Sequence, residues 1–492
     1  MTGASYLGID LGTSEVKLVL LDTDHRLLGS AGAPLVVDRP RPHWSEQSPQ
    51  AWWQATQQAA AALRQQLPQA WASVRAIGLS GQMHGATLLD DQDRVLRPAI
   101  LWNDTRSAAE CAELDQRLPE LPALAGNLAM PGFTAPKLMW VARHEPELFR
   151  RVASVLLPKD YLRWCLTGRK LSDMSDAAGT LWLDVARRAW SPRLLEATGM
   201  ALSQMPELVE GSAAGGRLHA AAARALGLAE GTLVAGGAGD NAASAVGIGA
   251  VAPGDGFVSL GTSGVLFVVT DRYRPNPASA VHAFCHALPG RWHQMSVMLS
   301  AASCLRWVTR LTGMDSEAAL LQRVAALGPA AAQRAPIFLP YLSGERTPHN
   351  DAQAQGLFFG LDHETDAARL GQAVLEGVSF GLLDGLQALQ AAGTAVQRLA
   401  LVGGGARSAY WAQLLADVLQ VEIQTLDGGE TGGALGAARL AWLADGGPEA
   451  VVCVAPPVRQ RYAPDPARHD ALAERHRRFQ ALYRRVQDLY PR

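Results

Sequence analysis

One acid in this chain stands on a loop made almost wholly of small residues. GGAGDNAASAVG, residues 236–247, presents Asp240 and Asn241 just after the apolar run TLVAGG. Glycine and alanine let a ligand come close to the backbone, so a carboxylate there can reach a substrate hydroxyl and take its proton during group transfer. An Asp-Asn pair also suits a helix cap, and the two roles are compatible. Elsewhere, LGTSEVKLVLLD, residues 11–22, returns as LGTSGVLFVVTD, residues 260–271, with seven identities in twelve positions aligned without gaps. A Gly-Thr-Ser turn between two strands gathers backbone N–H groups and two hydroxyls at one concave point, which suits phosphate oxygens. One such turn is only a hairpin. Two in equivalent places, with Thr13 and Ser14 in the first and Gly261 and Thr262 in the second, make a phosphate clamp across a cleft.

The copies differ in one telling place: Asp10 precedes the first turn and Ser259 the second. A nucleotide-bound Mg²⁺ takes one or two carboxylates along with waters and phosphate oxygens, so an acid on one side suffices. A third glycine element, LVGGGARS at 401–408, runs from a strand through Gly403, Gly404 and Gly405 into a helix. Bare glycines and a helix N-terminus favour an anionic ligand, and a plain strand-to-helix turn is an equal reading. The element lacks GxGxxG spacing and any GKS or GKT, so neither a dinucleotide fold nor a P-loop is supported. Two polar clusters, SGQMHGA at 80–86 and ILWNDTR at 100–106, offer His84, Trp102, Asn103 and Asp104. Their donors, acceptors and aromatic wall suit a polyhydroxylated ligand, although a lone histidine is more often structural.

These residues need a scaffold that brings distant segments together. Residues 6–9 and 16–21 read as strands about the first turn, and DTDHRLLG, 22–29, as the next hairpin turn. Ser48-Pro49 opens a helix through AWWQATQQAAAALRQQL, followed by the strand VRAIGLSGQ. Strands alternating with helices predict an α/β fold. The pattern restarts after Gly254, with a helix over 365–389 and the strand-turn-helix LALVGGGARSAYWAQLLADVL. The repeat therefore marks a domain duplication, its seam near 247–256. The tail, ARHDALAERHRRFQALYRRVQDLY, reads as a solvated surface helix with a basic face.

A chain of 492 residues, nearly half of them apolar, has material for two cores. A net charge of -2 gives no basic field for nucleic acid. Five scattered cysteines form neither a disulfide framework nor a zinc site and fit a reducing compartment. The N-terminus lacks signal-peptide organisation and no run reaches a membrane span, so a cytoplasmic protein is expected.

Across nearly its whole length the chain resembles the FGGY carbohydrate kinases of the actin, hexokinase and Hsp70-like superfold, and among them the xylulose kinases. The matching blocks include GIDLGTS, HWSEQ, SGQMHGATLLD, RPAILWND, NLAMPGFTAPKLMWV, LLPKDYLR, SDMSDAAGTLWLDV, AVHAFCHALP, SVMLSAASCLRW, FLPYLSGERTPHN and VGGGARSAYW. The resemblance implies two duplicated ribonuclease H-like domains flanking a cleft. Residues 1–247 would carry the sugar site, the base and the first phosphate hairpin, and 248–492 the second hairpin, the adenosine element and the C-terminal helices. It implies Asp240 as the base for the 5-hydroxyl of D-xylulose, with Met83, His84, Trp102, Asn103, Asp104 and Asn241 around the ketose. Thr13, Ser14, Lys17, Gly261, Thr262, Gly404, Gly405 and Ser408 would serve ATP, and Asp10 would face Mg²⁺. Small-molecule ketose and MgATP are the implied partners, with no nucleic acid or membrane, and a homodimer is left open. A kinase of ribulose, glycerol or gluconate, or a noncatalytic ATP-binding switch of the same superfold, are the alternative readings.

Overall fold

The computed structural model describes residues 3–427 and 432–491. Two seven-stranded sheets dominate it, each built outward from one copy of the repeated hairpin. In the first, β1 (Ser5–Leu11), β2 (Glu15–Asp22) and β3 (Leu27–Pro34) form an antiparallel meander. Helix α1 (Pro49–Gln66) leads to β4 (Val74–Gly81), which lies parallel to β1. A long excursion follows, containing α2 (Thr134–His144), α3 (Pro158–Thr167), β5 (Leu171–Asp173) and α4 (Met174–Ala177). The chain then returns through β6 (Ala214–Arg217) and β7 (Leu233–Ala235). The two-residue β8 (Ala238–Gly239) extends the end of β4, and α5 (Asp240–Gly247) closes the half. The sheet order is β6-β7-β4-β1-β2-β3.

The second half repeats this plan. Its strands are β9 (Gly256–Leu260), β10 (Gly264–Thr270), β11 (His282–Cys285) and β12 (Trp292–Met298). Helices α6 (Ala302–Leu311) and α7 (Ala367–Ala391) precede β13 (Arg398–Val402), α8 (Ala409–Leu419) and β14 (Glu422–Leu426). Helix α9 (Gly432–Ala444), β15 (Val458–Tyr462) and α10 (Pro466–Val486) complete it. The order is β11-β12-β10-β9-β13-β14-β15. Within each sheet a common core, β3-β2-β1-β4-β7 or β12-β10-β9-β13-β14, has two antiparallel junctions followed by two parallel ones. This shared topology is the duplication expected from the repeat.

Local chemistry explains the elements. The apolar positions of α1, Trp52, Ala55, Thr56, Ala59, Ala60 and Leu63, recur at helical spacing and are buried. Pro49 enters at the first turn, where its missing N–H costs nothing. The tail differs from its expected role as a solvated surface helix. Leu472, Phe479, Leu482 and Tyr483 give α10 an apolar stripe that packs into the second core, and Arg475 beside it is buried in an ion pair with Glu376. Among the described residues no helix is long and apolar enough to cross a membrane.

Helix α9 comes from the second half yet packs on β1 and β4 of the first sheet and against α5. Glycines make this possible. A Cβ on Gly8 would fall 2.0 Å from the Ala434 carbonyl oxygen, one on Gly78 1.8 Å from that of Ala437, and one on Gly436 1.7 Å from that of Ala243. Helix backbone thus lies directly on sheet and helix backbone.

The two hairpins, spelled alike, close differently. Leu11 pairs with Val16 and Asp10 with Lys17, whereas Leu260 pairs with Gly264 and Ser259 with Val265. The first loop therefore spans residues 12–15 and the second only 261–263. The gap-free alignment sets Lys17 against Leu266, but the residue across from Ser259 is Val265. Strand side chains alternate, so one residue fewer in the loop reverses the faces of the returning strand. Lys17 is half-buried toward Asp10, while Leu266 is fully buried in the second core.

Candidate active site

Asp240 is the first residue of α5, directly beyond the β8 extension of the first sheet. One carboxylate oxygen, Oδ1, accepts the Asn241 backbone N–H at 2.7 Å and the Asn241 Nδ2–H at 2.9 Å. Burial, and secondarily the negative charge of Asp10, push its pKa up to about 6 against those two donors. The group is thus mostly ionised at neutral pH, yet its proton affinity lies close to the working range, as a general base requires. The acid stands on the small-residue loop as expected, but the pair does not cap the helix: Gly239 occupies the N-cap, with no side-chain cap bond, and Asp240 is already the first helical residue.

Met83 lies against this loop, and His84 lies next to it against Gly179. A Cβ on Gly239 would come 2.9 Å from Met83 Cγ, and one on Gly179 would come 2.7 Å from His84 Nδ1 and 2.8 Å from Met83 Cε. His84 adopts a left-handed φ of 69°, and its Nδ1 lies 2.6 Å from the Gly179 carbonyl. A carbonyl only accepts, so Nδ1 carries the proton and Nε2 is an acceptor. Burial drives the imidazole pKa down to about 3, with Lys137 and Arg346 nearby acting in the same direction, so the ring is neutral. Phe133 packs 4.5 Å from it, centroid to centroid. Asn103 presents a buried Oδ1 with no donor among the described residues, an acceptor suited to a ligand hydroxyl.

Asp104 does not join this wall. Oδ2 accepts the Ser45 N–H and Arg106 Nη2–H, both at 2.6 Å, while Oδ1 accepts two further Arg106 donors at 2.9 Å. At 1% exposure it is spent on holding the 102–106 loop against the core. Trp102, by contrast, is 45% exposed, and its Nε1–H donates to Thr13 Oγ1 at 3.0 Å. The aromatic wall and the first phosphate turn are therefore in direct contact.

That turn is stapled by amides. Thr13 Oγ1 donates to Gln82 Oε1, Gln47 Nε2–H donates to the Thr13 carbonyl, and the Gln82 N–H donates to the Leu11 carbonyl. The Thr13 hydroxyl is engaged on both sides and the Gly12 N–H donates to the Glu15 carbonyl, which leaves Ser14 as the exposed residue at the tip. The second turn is held otherwise, by the Ala301 and Ala302 N–H groups on the Thr262 and Gly261 carbonyls and by the Ser303 hydroxyl on the Thr262 carbonyl. Asp10 Oδ1 is buried with no hydrogen-bond partner among the described residues. Burial raises its pKa, opposed by Ser80 and Lys17. The N-terminal residues of α9 close over it: a Cβ on Gly433 would fall 2.6 Å from Ser80 Oγ and 2.8 Å from Asp10 Oδ1.

Between the halves lies a cavity of about 360 Å³ whose lining includes Asn241, Ser244, Ser259, Gly403, Gly404 and Arg407. Gly404 is exposed there, whereas Gly405 is buried against Leu260 and Ser408 caps α8 by accepting the Trp411 N–H. Of the expected nucleotide residues the structure thus presents Gly404 to the cavity and uses the Ser408 hydroxyl to start a helix. Ser244 and Arg407 on the cavity wall, Gln47 and Gln82 beneath the turn, and Gly433 over Asp10 escaped the sequence reading. Only the spelling of the blocks around Gln47 and Gln82 could have pointed to them.

Models of the N-terminal and C-terminal domains of the FGGY family of carbohydrate kinases match residues 5–247 and 256–444. The chain belongs to the FGGY family of carbohydrate kinases. A xylulose kinase of Escherichia coli strain K12 is 53% identical over 484 residues, covering 98% of this chain and 99% of that protein. A crystal structure described as a xyloylose kinase from Brucella ovis superposes with a TM-score of 0.95 at 53% identity, covering 99% of this chain and 100% of that one. That of a xylulose kinase from Rhodospirillum rubrum has a TM-score of 0.91 at 29% identity, with 99% and 100% covered. An FGGY kinase uses ATP, and in this member the cavity between the halves brings Asn241, the neighbour of Asp240, together with Ser259 and the glycine element.

Proposed function

We propose that the protein transfers the γ-phosphoryl group of ATP to the 5-hydroxyl of D-xylulose, giving D-xylulose 5-phosphate and ADP. The 53% identity to the Escherichia coli xylulose kinase over almost the entire chain carries the choice of sugar. The chemistry follows from the residues. The Asp240 oxygen not bonded to Asn241 accepts the proton of the 5-hydroxyl as that oxygen attacks the γ-phosphorus. The bond from phosphorus to the ADP oxygen breaks, and Asp240 later gives its proton to water. Little covalent work falls to the protein, so positioning and charge stabilisation dominate. The unprotonated Nε2 of His84 and the orphan Oδ1 of Asn103 accept sugar hydroxyls. The Gly12 and Gly261 N–H groups close their own turns, so the backbone N–H groups of Thr13, Ser14, Thr262 and Ser263 receive the phosphate oxygens, and Trp102 walls the sugar beside Thr13.

A buried, unpartnered carboxylate oxygen with a cationic neighbour of its own sheet fits the water shell of a Mg²⁺, and Asp10 would hold it with Lys17 balancing charge. When bound, Mg²⁺ draws negative charge from the phosphate oxygens. We assign residues 1–247 and 248–492 to the two domains, with α9 serving the first from the second.

Coupled ADP release across D-xylulose, ribulose, glycerol and gluconate tests the assignment. D-Xylulose is expected to exceed each rival in kcat/KM by at least about tenfold, the scale on which a few pocket contacts discriminate. An equal or higher value for another sugar would replace the substrate, and no ADP release with any would leave an ATP-binding switch.

A further inference from the structure

Beneath the 236–239 loop lies a group of five charged side chains with no solvent exposure. Lys159 Nζ contacts Asp160 Oδ1 at 2.6 Å, Asp173 Oδ1 at 2.7 Å and Asp176 Oδ2 at 3.0 Å, and Arg163 Nη1 contacts Asp160 Oδ1 at 2.9 Å. The three carboxylates converge closely enough to hold a cation, and the Lys159 ammonium already lies within ion-pair distance of all of them. Burial pushes the Asp176 carboxyl well up, against the pull of Lys159. In its protonated form two carboxylates balance two cations. Burying charges costs several kcal/mol per ion, and well-packed apolar residues are often as stable or more so. The cluster is therefore better explained by what it holds than by stability.

It holds both walls of the sugar site. Arg163 reaches outward from α3, donating through Nη1 to the Leu171 carbonyl at 2.7 Å and through Nη2 to the Gly236 carbonyl, at the start of the base loop. Asp173 caps α4, accepting the Ser175 N–H at 2.8 Å and the Ser175 hydroxyl at 2.5 Å. The same Ser175 oxygen accepts the Gly239 N–H at 3.1 Å, one residue before Asp240. Past α4, the Gly179 carbonyl fixes the His84 tautomer. A single buried frame thus grips the base loop at two backbone points and sets the opposite histidine.

We propose that Arg163 and Ser175 are positioning residues for phosphoryl transfer, holding the 236–239 loop so that the Asp240 carboxylate faces the sugar hydroxyl. This inference rests on Asp240 being the base. Displacing a reacting group by about 1 Å can cost roughly 100-fold in rate. In the full-length enzyme, Ser175→Ala removes one oxygen and leaves all five charges, while Arg163→Lys keeps the charge and loses the fork. Both are expected to lower kcat roughly 10- to 100-fold, with D-xylulose affinity by calorimetry within about threefold of wild type, since docking contacts remain. Should Arg163→Lys not fold, Ser175→Ala carries the test. A folded Ser175→Ala enzyme with unchanged kcat, or one losing affinity and kcat equally, overturns the inference. Asp240→Asn measured alongside separates the two levels. Retained turnover there removes the base and this inference with it. Lost turnover there beside unchanged Ser175→Ala removes the positioning role alone.

Discussion

The two Gly-Thr-Ser hairpins share their spelling and not their geometry. In the first, a loop over residues 12–15 places Lys17 across from Asp10, and glutamine side chains staple the turn. In the second, a loop over 261–263 places Val265 across from Ser259, and the start of α6 supports the turn. Duplication therefore kept the Gly-Thr-Ser turn and let the flanks diverge. One side gained an acid, its compensating cation and an exposed indole contact. The other became a neutral, core-backed shelf. Charge handling is concentrated in the first half, where Asp10 also raises the proton affinity of Asp240.

This asymmetry can be broken in graded steps. The largest effect is expected from Asp240→Asn, with kcat falling by about 10²- to 10⁴-fold, the usual scale for a lost general base, while calorimetry still detects sugar binding. Asp10→Asn should lower kcat by about 100-fold, the scale of one lost charge-stabilising contact, and raise the Mg²⁺ concentration needed for half-maximal rate. Adding Ser259→Asp to that variant should restore neither, because Val265 offers no cation there. Recovery of the Mg²⁺ response would show the hairpins to be interchangeable. Gly433→Ala should cost about 1–3 kcal/mol of overpacking against Asp10 and Ser80, visible as a lower Tm and a raised Mg²⁺ requirement. The smallest effect concerns pH. Asp240 must be ionised to act, so kcat/KM should fall about tenfold per unit below its pKa of about 6 and level off above it. Removing the like charge in Asp10→Asn should move that acid limb to lower pH in a pH–rate profile. A limb that stays in place would mean that burial alone sets Asp240.

Much of this was legible in the residues. The paired LGTS turns, the acid on its glycine loop and the sheet-helix alternation are local patterns, and local patterns survive folding. What stayed hidden depended on distant partners. The gap-free match of 11–22 to 260–271 concealed a register change, because identity along a strand says nothing of how many residues the loop keeps. Asp104 stood beside plausible sugar contacts, but Arg106 and the Ser45 N–H turn it inward. The tail advertised its arginines more loudly than its Leu472, Phe479 and Leu482 stripe. The charges of LLPKDYLR and SDMSD were visible as letters, yet only folding brings Lys159 to Asp173 and Asp176.

Helix α9 has a consequence for biosynthesis. The backbone surfaces of β1 and β4 that meet Ala434 and Ala437 are made early by the ribosome, whereas their cover is made late. At about 5–20 residues per second, the interval from residue 247 to residue 432 lasts roughly ten to forty seconds. During it the backbone at Gly8 and Gly78 in the nascent first half waits for its cover. A truncated messenger ending after the first half would yield Asp240 on its loop without the cover its sheet needs.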